Sequence, residues 1–276
     1  MEGVMPAVPT PRSSRRHPSP APPAAAHSGR QRQILAALSP TTPLSVAALA
    51  RLTGVSEVTI RRDLTDLARD GFVIRLHGGA LRAPRRGASQ PIALRRAEDI
   101  DIKRHLARAT AALIEDGDSV IIDNGTTCQL VAEALAGREI RVLALSLGAA
   151  AALASVPGAQ VTIPGGAVET DTLSMLTTSA VDAVRAFRAD VGILGACAAS
   201  PESGLTCTET YDATLKAAII ASSANRFMPA TPRKLTRSST YRFGEVADLD
   251  VLLTTDGLEA DVLEGLRGCG VDLRLC

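Results

Sequence analysis

Apolar residues recur at helical spacing three times in the first third of the chain. Ile34, Leu35 and Leu38 mark one face of a first helix, Val46, Leu49, Ala50 and Leu52 of a second, and Ile60, Leu64 and Leu67 of a third. Ser45 and Ser56 stand where N-caps are expected, because a hydroxyl there accepts a backbone N–H that the helix leaves unpaired. Between the second and third helices lies Thr53-Gly54-Val55. Gly54 can adopt the left-handed backbone that ends a helix and turns the chain. A helix, a short Gly-containing turn and a second helix make a helix-turn-helix. With Ile60, Leu64 and Leu67 inward, the third helix leaves Ser56, Thr59, Arg62, Asp63 and Asp66 outward or lateral, and Arg61 to one side. Hydroxyl and guanidinium groups in such a position donate to phosphates and guanine edges in a major groove. The stretch Phe72–Ala80 reads as a β-wing. Its Arg75 and His77 precede Gly78-Gly79, where the backbone can approach a duplex closely.

Beyond residue 98 the pattern changes to short apolar runs alternating with helical segments. Strands are predicted at Ser119–Asp123, Arg141–Leu145, Gln160–Ile163, Asp190–Gly195, Asp250–Thr255 and Val271–Leu275. Helices are predicted at Ile100–Ile114, Cys128–Leu135, Ala149–Ala154, Ser179–Phe187, Tyr211–Ser222 and Glu259–Arg267. Such alternation predicts an α/β unit with a mostly parallel sheet, whose ligands bind outside the carboxyl ends of the strands. Pro229 interrupts a further expected strand, Arg226–Ala230, because proline cannot donate to a central ladder.

Four segments follow: a disordered Pro/Ala/Ser tail (1–28), a winged helix-turn-helix (29–81), a basic Pro-broken linker (82–97) and the α/β unit (98–276). The net charge of +1 conceals a split. Residues 1–110 carry 18 Lys+Arg against 8 Asp+Glu, a net of +10, and residues 111–276 carry 12 against 21, a net of −9. The basic part suits a polyanion such as DNA. Aromatics make up only 2% of the chain, which argues against modules that stack unpaired bases. The five cysteines form no C-x-x-C pair, so neither a zinc site nor a disulfide framework is expected, and a reducing cytoplasm fits. The uncharged stretch Val142–Val168 is broken by Pro157-Gly158 and Pro164, which suits a core rather than a membrane span.

The candidate ligand site follows the first strand of the α/β unit: Asp123-Asn124-Gly125-Thr126-Thr127, then a helix. Backbone N–H groups at a helix N-terminus bind anions, Gly125 permits close approach, and the threonine hydroxyls add donors. Threonine at a helix start is also a plain cap. No Gly-Lys-Ser/Thr follows and no G-x-G-x-x-G is present, so neither nucleotide hydrolysis nor a dinucleotide cofactor is expected.

The run from Leu44 through Gly54-Val55-Ser56-Glu57-Val58-Thr59-Ile60-Arg61-Arg62-Asp63-Leu64 to His77-Gly78-Gly79-Ala80 resembles the DeoR family of bacterial transcriptional regulators. The resemblance implies a winged helix-turn-helix that reads an operator, usually to repress sugar-metabolism genes. It implies DNA contacts from Ser45, Ser56, Thr59, Arg61, Arg62, Arg75, His77, Gly78 and Gly79. The family's second domain is similar in fold to sugar-phosphate isomerases and acyl-CoA transferases, which implies a phosphorylated sugar as effector. The matching positions are Asp123, Gly125, Thr126 and Thr127, then Gly165-Gly166, Gly204-Leu205-Thr206 and Lys216, with Ser146 and Lys234 as further effector contacts. Departures occur where the family has Thr-Asn-Ser and this chain has Ala144-Leu145-Ser146, and over Thr231–Gly244.

Two functions are in view. One is an effector-controlled DNA-binding regulator, without cofactor or metal, acting as a homodimer or larger assembly because an operator with two-fold symmetry is read by paired protomers. The alternative is a sugar-phosphate isomerase-like enzyme, for which Asp190, Glu202 and Glu209 are the available carboxylates near Lys216. None of them pairs convincingly with the lysine, so no catalytic residue is assigned.

Overall fold

The computed structural model describes residues 29–39, 42–69, 72–82, 92–170 and 172–276. The tail and residues 83–91 of the linker lie outside the described residues.

The three apolar stripes form α1 (Gly29–Ala37), α2 (Val46–Thr53) and α3 (Glu57–Arg69), with β1 (Leu44–Ser45), β2 (Val73–Leu76) and β3 (Gly79–Arg82) making an antiparallel sheet in the order β1-β3-β2. Ile34, Leu49, Ile60, Leu64 and Leu67 meet in one core. Both serine caps form: Ser45 Oγ accepts from the Ala48 N–H at 3.1 Å, and Ser56 Oγ from the Thr59 N–H at 3.3 Å. Gly54 adopts φ 69° and its N–H donates to the Ala50 carbonyl at 2.9 Å. These contacts pair backbone groups that the helix ends would otherwise leave open.

Two expectations about these helices fail. Leu52 is 59% exposed, because the buried stripe of α2 runs through Val46 and Leu49, and Leu52 lies off it. Asp63, expected outward or lateral, is buried. It falls three residues after Ile60, on the inward stripe, and the fork of Arg30 from α1 grips it (Nε–Oδ2 2.5 Å, Nη2–Oδ1 3.0 Å). A bidentate guanidinium is what lets a carboxylate sit there.

The last residues of the expected linker form a helix, α4 (Ile92–Ala97), and α5 (Ile100–Ala111) opens the α/β unit. There follow β4 (Ser119–Ile122), α6 (Thr126–Ala134), β5 (Arg141–Ala144), α7 (Leu147–Ala154), β6 (Gln160–Thr162), α8 (Thr178–Ala186) and β7 (Ala189–Ile193). The rest comprises β8 (Ala198–Ser200), β9 (Gly204–Cys207), α9 (Thr210–Ser222), β10 (Ser223–Pro229), β11 (Tyr241–Gly244), β12 (Val251–Thr254), α10 (Ala260–Gly268) and β13 (Asp272–Leu275). Seven strands form one parallel sheet in the order β13-β12-β10-β7-β4-β5-β6. Its side chains alternate between two cores. Val120, Ile122, Val142 and Val191 face the layer of α5, α6 and α7. Ile121, Leu143, Met228 and Leu252 face the layer of α8, α9 and α10. Strands buried on both faces read as continuous apolar runs, which is why the sequence exposes them.

β10 is an inner strand despite Pro229. The Phe227 carbonyl accepts from the Leu194 N–H, so that residue faces β7, and by alternation Pro229 faces the same side, where β7 has already ended at Ile193. The Ala230 N–H, on the other side, reaches the Leu253 carbonyl at 2.9 Å, so proline costs the ladder nothing. The antiparallel meander β8-β9-β11 does not emerge from the sequence pattern; its strands are three or four residues long.

The chain order reverses between β4 and β7. Strands after β4 build outward through β5 and β6, and strands after β7 build the opposite way. Loops leaving the carboxyl ends of these two neighbours part to opposite faces and open a crevice.

Candidate functional site

The first candidate surface is the outer face of α3 with its wing. Arg61 and Arg62 are exposed on it. Arg61 pairs with Glu57 one turn back at 2.9 Å, while Arg62 has no ion pair among the described residues. Thr65 links helix and wing: its hydroxyl donates to the Arg61 carbonyl at 2.7 Å and accepts from Arg75 Nη1 at 3.0 Å. The structure therefore draws Arg61, Thr65 and Arg75 into one exposed cluster. Ser56 and Thr59 stand at the helix start with their hydroxyl oxygens 3.0 Å apart, and Ser45 caps α2. His77 and Gly78 form the exposed tip of the wing, with Gly78 at φ 79°. Gly79 is different. It is buried, and a Cβ there would lie 2.4 Å from the Leu44 carbonyl oxygen, so the close pairing of β1 and β3 requires glycine.

The second candidate is a cavity of about 630 Å³ at the crevice between β4 and β7. The loop and first turn Asn124–Cys128 form one wall, and Gly195–Ala198 after β7 form another. Gly125 precedes α6 with φ 113° and supplies no side-chain cap, and Gly125–Cys128 at this helix start line the cavity. Thr127 lies in the same turn and is 4% exposed, and its Oγ1 has no hydrogen-bond partner among the described residues. An unpaired buried hydroxyl costs about 1–3 kcal/mol, so a site of this kind calls for a partner.

Beneath the wall lies a fully buried ion cluster. Lys216 on α9 hydrogen-bonds Asp123 and stands 3.2 Å from Asp212, one turn earlier on the same helix. Asp123 also accepts from the Gly195 N–H at 2.8 Å and the Asn124 N–H at 2.7 Å, while Asn124 Nδ2 bridges to Asp212 at 2.9 Å. Burial opposes the Lys216 charge, but the two carboxylates outweigh it and hold the amine protonated. The cluster locks the β4 loop, the β7 loop and α9 together. Gly195 takes part for steric reasons too, since a Cβ there would lie 2.6 Å from the Asn124 carbonyl oxygen.

Cations line the far side. Lys103 projects from α5, is 3% exposed and donates to the Arg95 carbonyl of α4. Burial, then the neighbouring Lys234, push its pKa down to about 8. Burial likewise lowers Lys234 and Arg237. None of these three forms an ion pair among the described residues, whereas Arg233 pairs with Glu98. Cys128 on the same wall has a thiol pushed up to about 12 by burial, which leaves it an inert packing group.

Of the predicted effector residues, Gly125, Thr126, Thr127, Lys216 and Lys234 line this cavity, and Asp123 supports it from below. Ser146, Gly165 and Gly166 do not line it. Ser146 caps α7 by accepting from the Ala149 N–H at 3.3 Å and forms a bridge with Ser174. Gly165 and Gly166 lie in the β6–α8 loop at φ 73° and 95°. Three contributors were not singled out from the sequence. Lys103 lies three and four residues before the buried Leu106 and Ala107, so a lysine interrupts an apolar stripe. Asp212 precedes Lys216 by one helical turn. Asn124 gave no sequence signal of its bridging role. Of the carboxylates considered for an isomerase, Glu209 lines the cavity, but Asp190 lies at the amino end of β7, hydrogen-bonded to Ser119 Oγ at 2.6 Å. Among the described residues no His/Cys/Asp/Glu cluster suits a metal, and no helix is long and apolar enough to cross a membrane.

Comparison with known proteins joins the two sites. Residues 30–85 match the DeoR-like helix-turn-helix domain, and residues 98–256 match the DeoR C terminal sensor domain. The chain is 32% identical to the glycerol-3-phosphate regulon repressor of Haemophilus influenzae, across 90% of this chain and 96% of that protein. It is 29% identical to the glycerol-3-phosphate regulon repressor of Escherichia coli K12, across 80% of this chain and 88% of that one. Among solved structures, a D-ribose-5-phosphate isomerase in complex with phospho-erythronic acid overlaps 49% of this chain and 54% of its own, with 18% identity and a TM-score of 0.35, a likeness too partial to bear on function. The helix-turn-helix, the sensor domain that follows it and the full-length relatives lead to one assignment: the chain belongs to the DeoR family.

Proposed function

We propose that this protein is a transcriptional repressor of sugar-metabolism genes whose hold on its operator is set by a phosphorylated sugar. The outer face of α3 and the wing enter the duplex, with Arg61, Arg62, Arg75 and the hydroxyls of Ser56 and Thr59 as donors and the wing tip at His77-Gly78 against the backbone. The phosphate sits at the N-terminus of α6, held by Thr126, Thr127 and open backbone N–H groups, with Lys103, Lys234 and Arg237 drawn to its charge. The observation that carries this reading is the buried, unpartnered Thr127 hydroxyl at an uncapped helix end on the cavity wall. Relatives named as glycerol-3-phosphate regulon repressors support an effector of this class.

Coupling is a linkage of two equilibria: an effector that binds one arrangement of the chain better than the other shifts the population. α4, the helical end of the expected linker, is placed to report occupancy. Arg95, Glu98 and Asp99 line the cavity, Lys103 holds the Arg95 carbonyl, and Arg96 donates to Gln129 on α6 at 3.2 Å. The protein works on double-stranded DNA in the cytoplasm, at least as a homodimer. An isomerase is disfavoured because two carboxylates hold Lys216 in its charged form and Asp190 lies at the far end of the sheet.

The test is a thermal-shift series with phosphorylated and unphosphorylated sugars, using the wild type and Thr127→Val. A binding sugar phosphate raises the wild-type melting temperature. Its unphosphorylated counterpart leaves it unchanged, and the variant responds weakly. A full response from Thr127→Val removes this helix end from the site.

A further inference from the structure

Val58 has no structural reason to be where it is. It stands in the first turn of α3 and is 73% exposed, more than any other large apolar residue described. It follows Glu57 and precedes Thr59, and it lies two residues before the fully buried Ile60. At about 100° per residue that separation places it on the face opposite the core. Arg62, one turn on, shares that face, and the cluster of Arg61, Thr65 and Arg75 flanks it. A β-branched side chain is also a poorer helix former than the long polar residues around it. Scattered exposed apolar residues are common on proteins. This one is set apart by its place amid three arginines, on the helix face that the proposed function turns toward DNA.

We infer that Val58 is a specificity-determining residue that reads the C5-methyl group of a thymine in the operator. The inference rests on the DNA-binding reading above. Among the base edges of a major groove, the thymine methyl is the apolar feature, and the others are hydrogen-bond donors and acceptors. The surrounding guanidiniums reach phosphates and guanine edges, and Val58 adds a contact that none of them makes. The contact excludes cytosine at that position, where the edge presents an amino group and no methyl.

The test replaces thymines by deoxyuridine one at a time in an operator fragment mapped by footprinting on the upstream region of the gene. Uracil keeps every hydrogen-bonding group of thymine and removes the methyl alone. Wild-type protein loses affinity about fourfold at one thymine per half-site, the change expected for one buried methyl. Val58→Ala binds the unmodified operator about fourfold more weakly and is indifferent to that replacement, with a melting temperature no lower than wild type. Two results overturn the inference: a wild type insensitive to every replacement, or a Val58→Ala protein as sensitive as wild type. A change of oligomeric state in Val58→Ala with thymine sensitivity intact gives the residue to a protomer interface instead. Failure to bind any upstream fragment overturns the DNA reading itself, and this inference with it.

Discussion

The two halves of this protein use charge in opposite ways. In the helix-turn-helix, Arg61, Arg62 and Arg75 are exposed, and the one buried carboxylate of α3, Asp63, is matched by a single half-exposed arginine. In the sensor, Lys216 is buried with two carboxylates, and Lys103 is buried with no ion pair among the described residues. An exposed cation keeps its hydration and costs the fold little, which suits a partner as large and as charged as a duplex. A buried cation has lost its hydration. It is then either neutralised inside the fold, as Lys216 is, or, on the proposed reading, held ready for an anion, as Lys103 is. The surroundings of a buried lysine, not the residue type, decide whether its charge is matched inside the fold.

Substitutions sharpen that contrast, from the largest effect downward. Lys216→Met leaves Asp123 and Asp212 buried without their cation, and it destabilises the sensor by about 3–5 kcal/mol, read from denaturant unfolding. Adding Asp123→Asn and Asp212→Asn recovers much of that loss; no recovery removes charge pairing as the cause. Arg62→Ala costs nothing in unfolding but weakens operator binding by about 1–3 kcal/mol if it meets a base, measured by gel-shift titration. Unchanged affinity takes Arg62 off the contact surface. Thr127→Val leaves the unliganded protein at least as stable, because it deletes an unpaired hydroxyl, and weakens sugar-phosphate binding about tenfold, roughly one charge-assisted hydrogen bond. A loss of stability in that variant shows the hydroxyl to be paired within the fold.

The smallest effect is on pH. The Lys103 pKa in the folded chain, about 8, lies below its ordinary value of 10.5. Between these values the unfolded chain binds more protons, so the contribution to stability rises with pH across that window and is flat below it. Effector binding has the opposite sign. The anion prefers protonated Lys103, so affinity falls several-fold from pH 7 to pH 9, measured by calorimetric titration. Lys103→Met flattens that dependence. An affinity equal at both pH values in the wild type separates Lys103 from the ligand.

Local patterns were legible in the sequence, and long-range ones were not. The caps at Ser45 and Ser56 and the turn at Gly54 depend on residues within a few positions, and they form as expected. The parallel sheet is legible because strands buried on both faces are short apolar runs. The pairing of Arg30 with Asp63 joins residues 33 positions apart, so nothing local to α3 named the partner that lets a carboxylate sit on the inward stripe. The cavity is assembled from segments between Arg95 and Ser239, and the Asp123–Lys216 contact spans 93 residues. The loop Asp123–Thr127 was readable as an anion site by its chemistry. Lys103, a lysine within an apolar stripe, is itself a signal of a buried cation. Ser146 and Gly165-Gly166 drew attention by family pattern, yet the structure gives Ser146 a capping role and sets the glycines in a separate loop.

The most direct test of the account is a titration of a fluorescent operator fragment with the protein, in the presence and absence of a sugar phosphate that raises its melting temperature. The expected result is that the sugar phosphate changes operator affinity at fixed salt, that Thr127→Val binds the operator normally but no longer responds, and that Arg62→Ala binds weakly but still takes up the sugar phosphate. An operator affinity that is the same with and without a sugar phosphate known to be bound contradicts it.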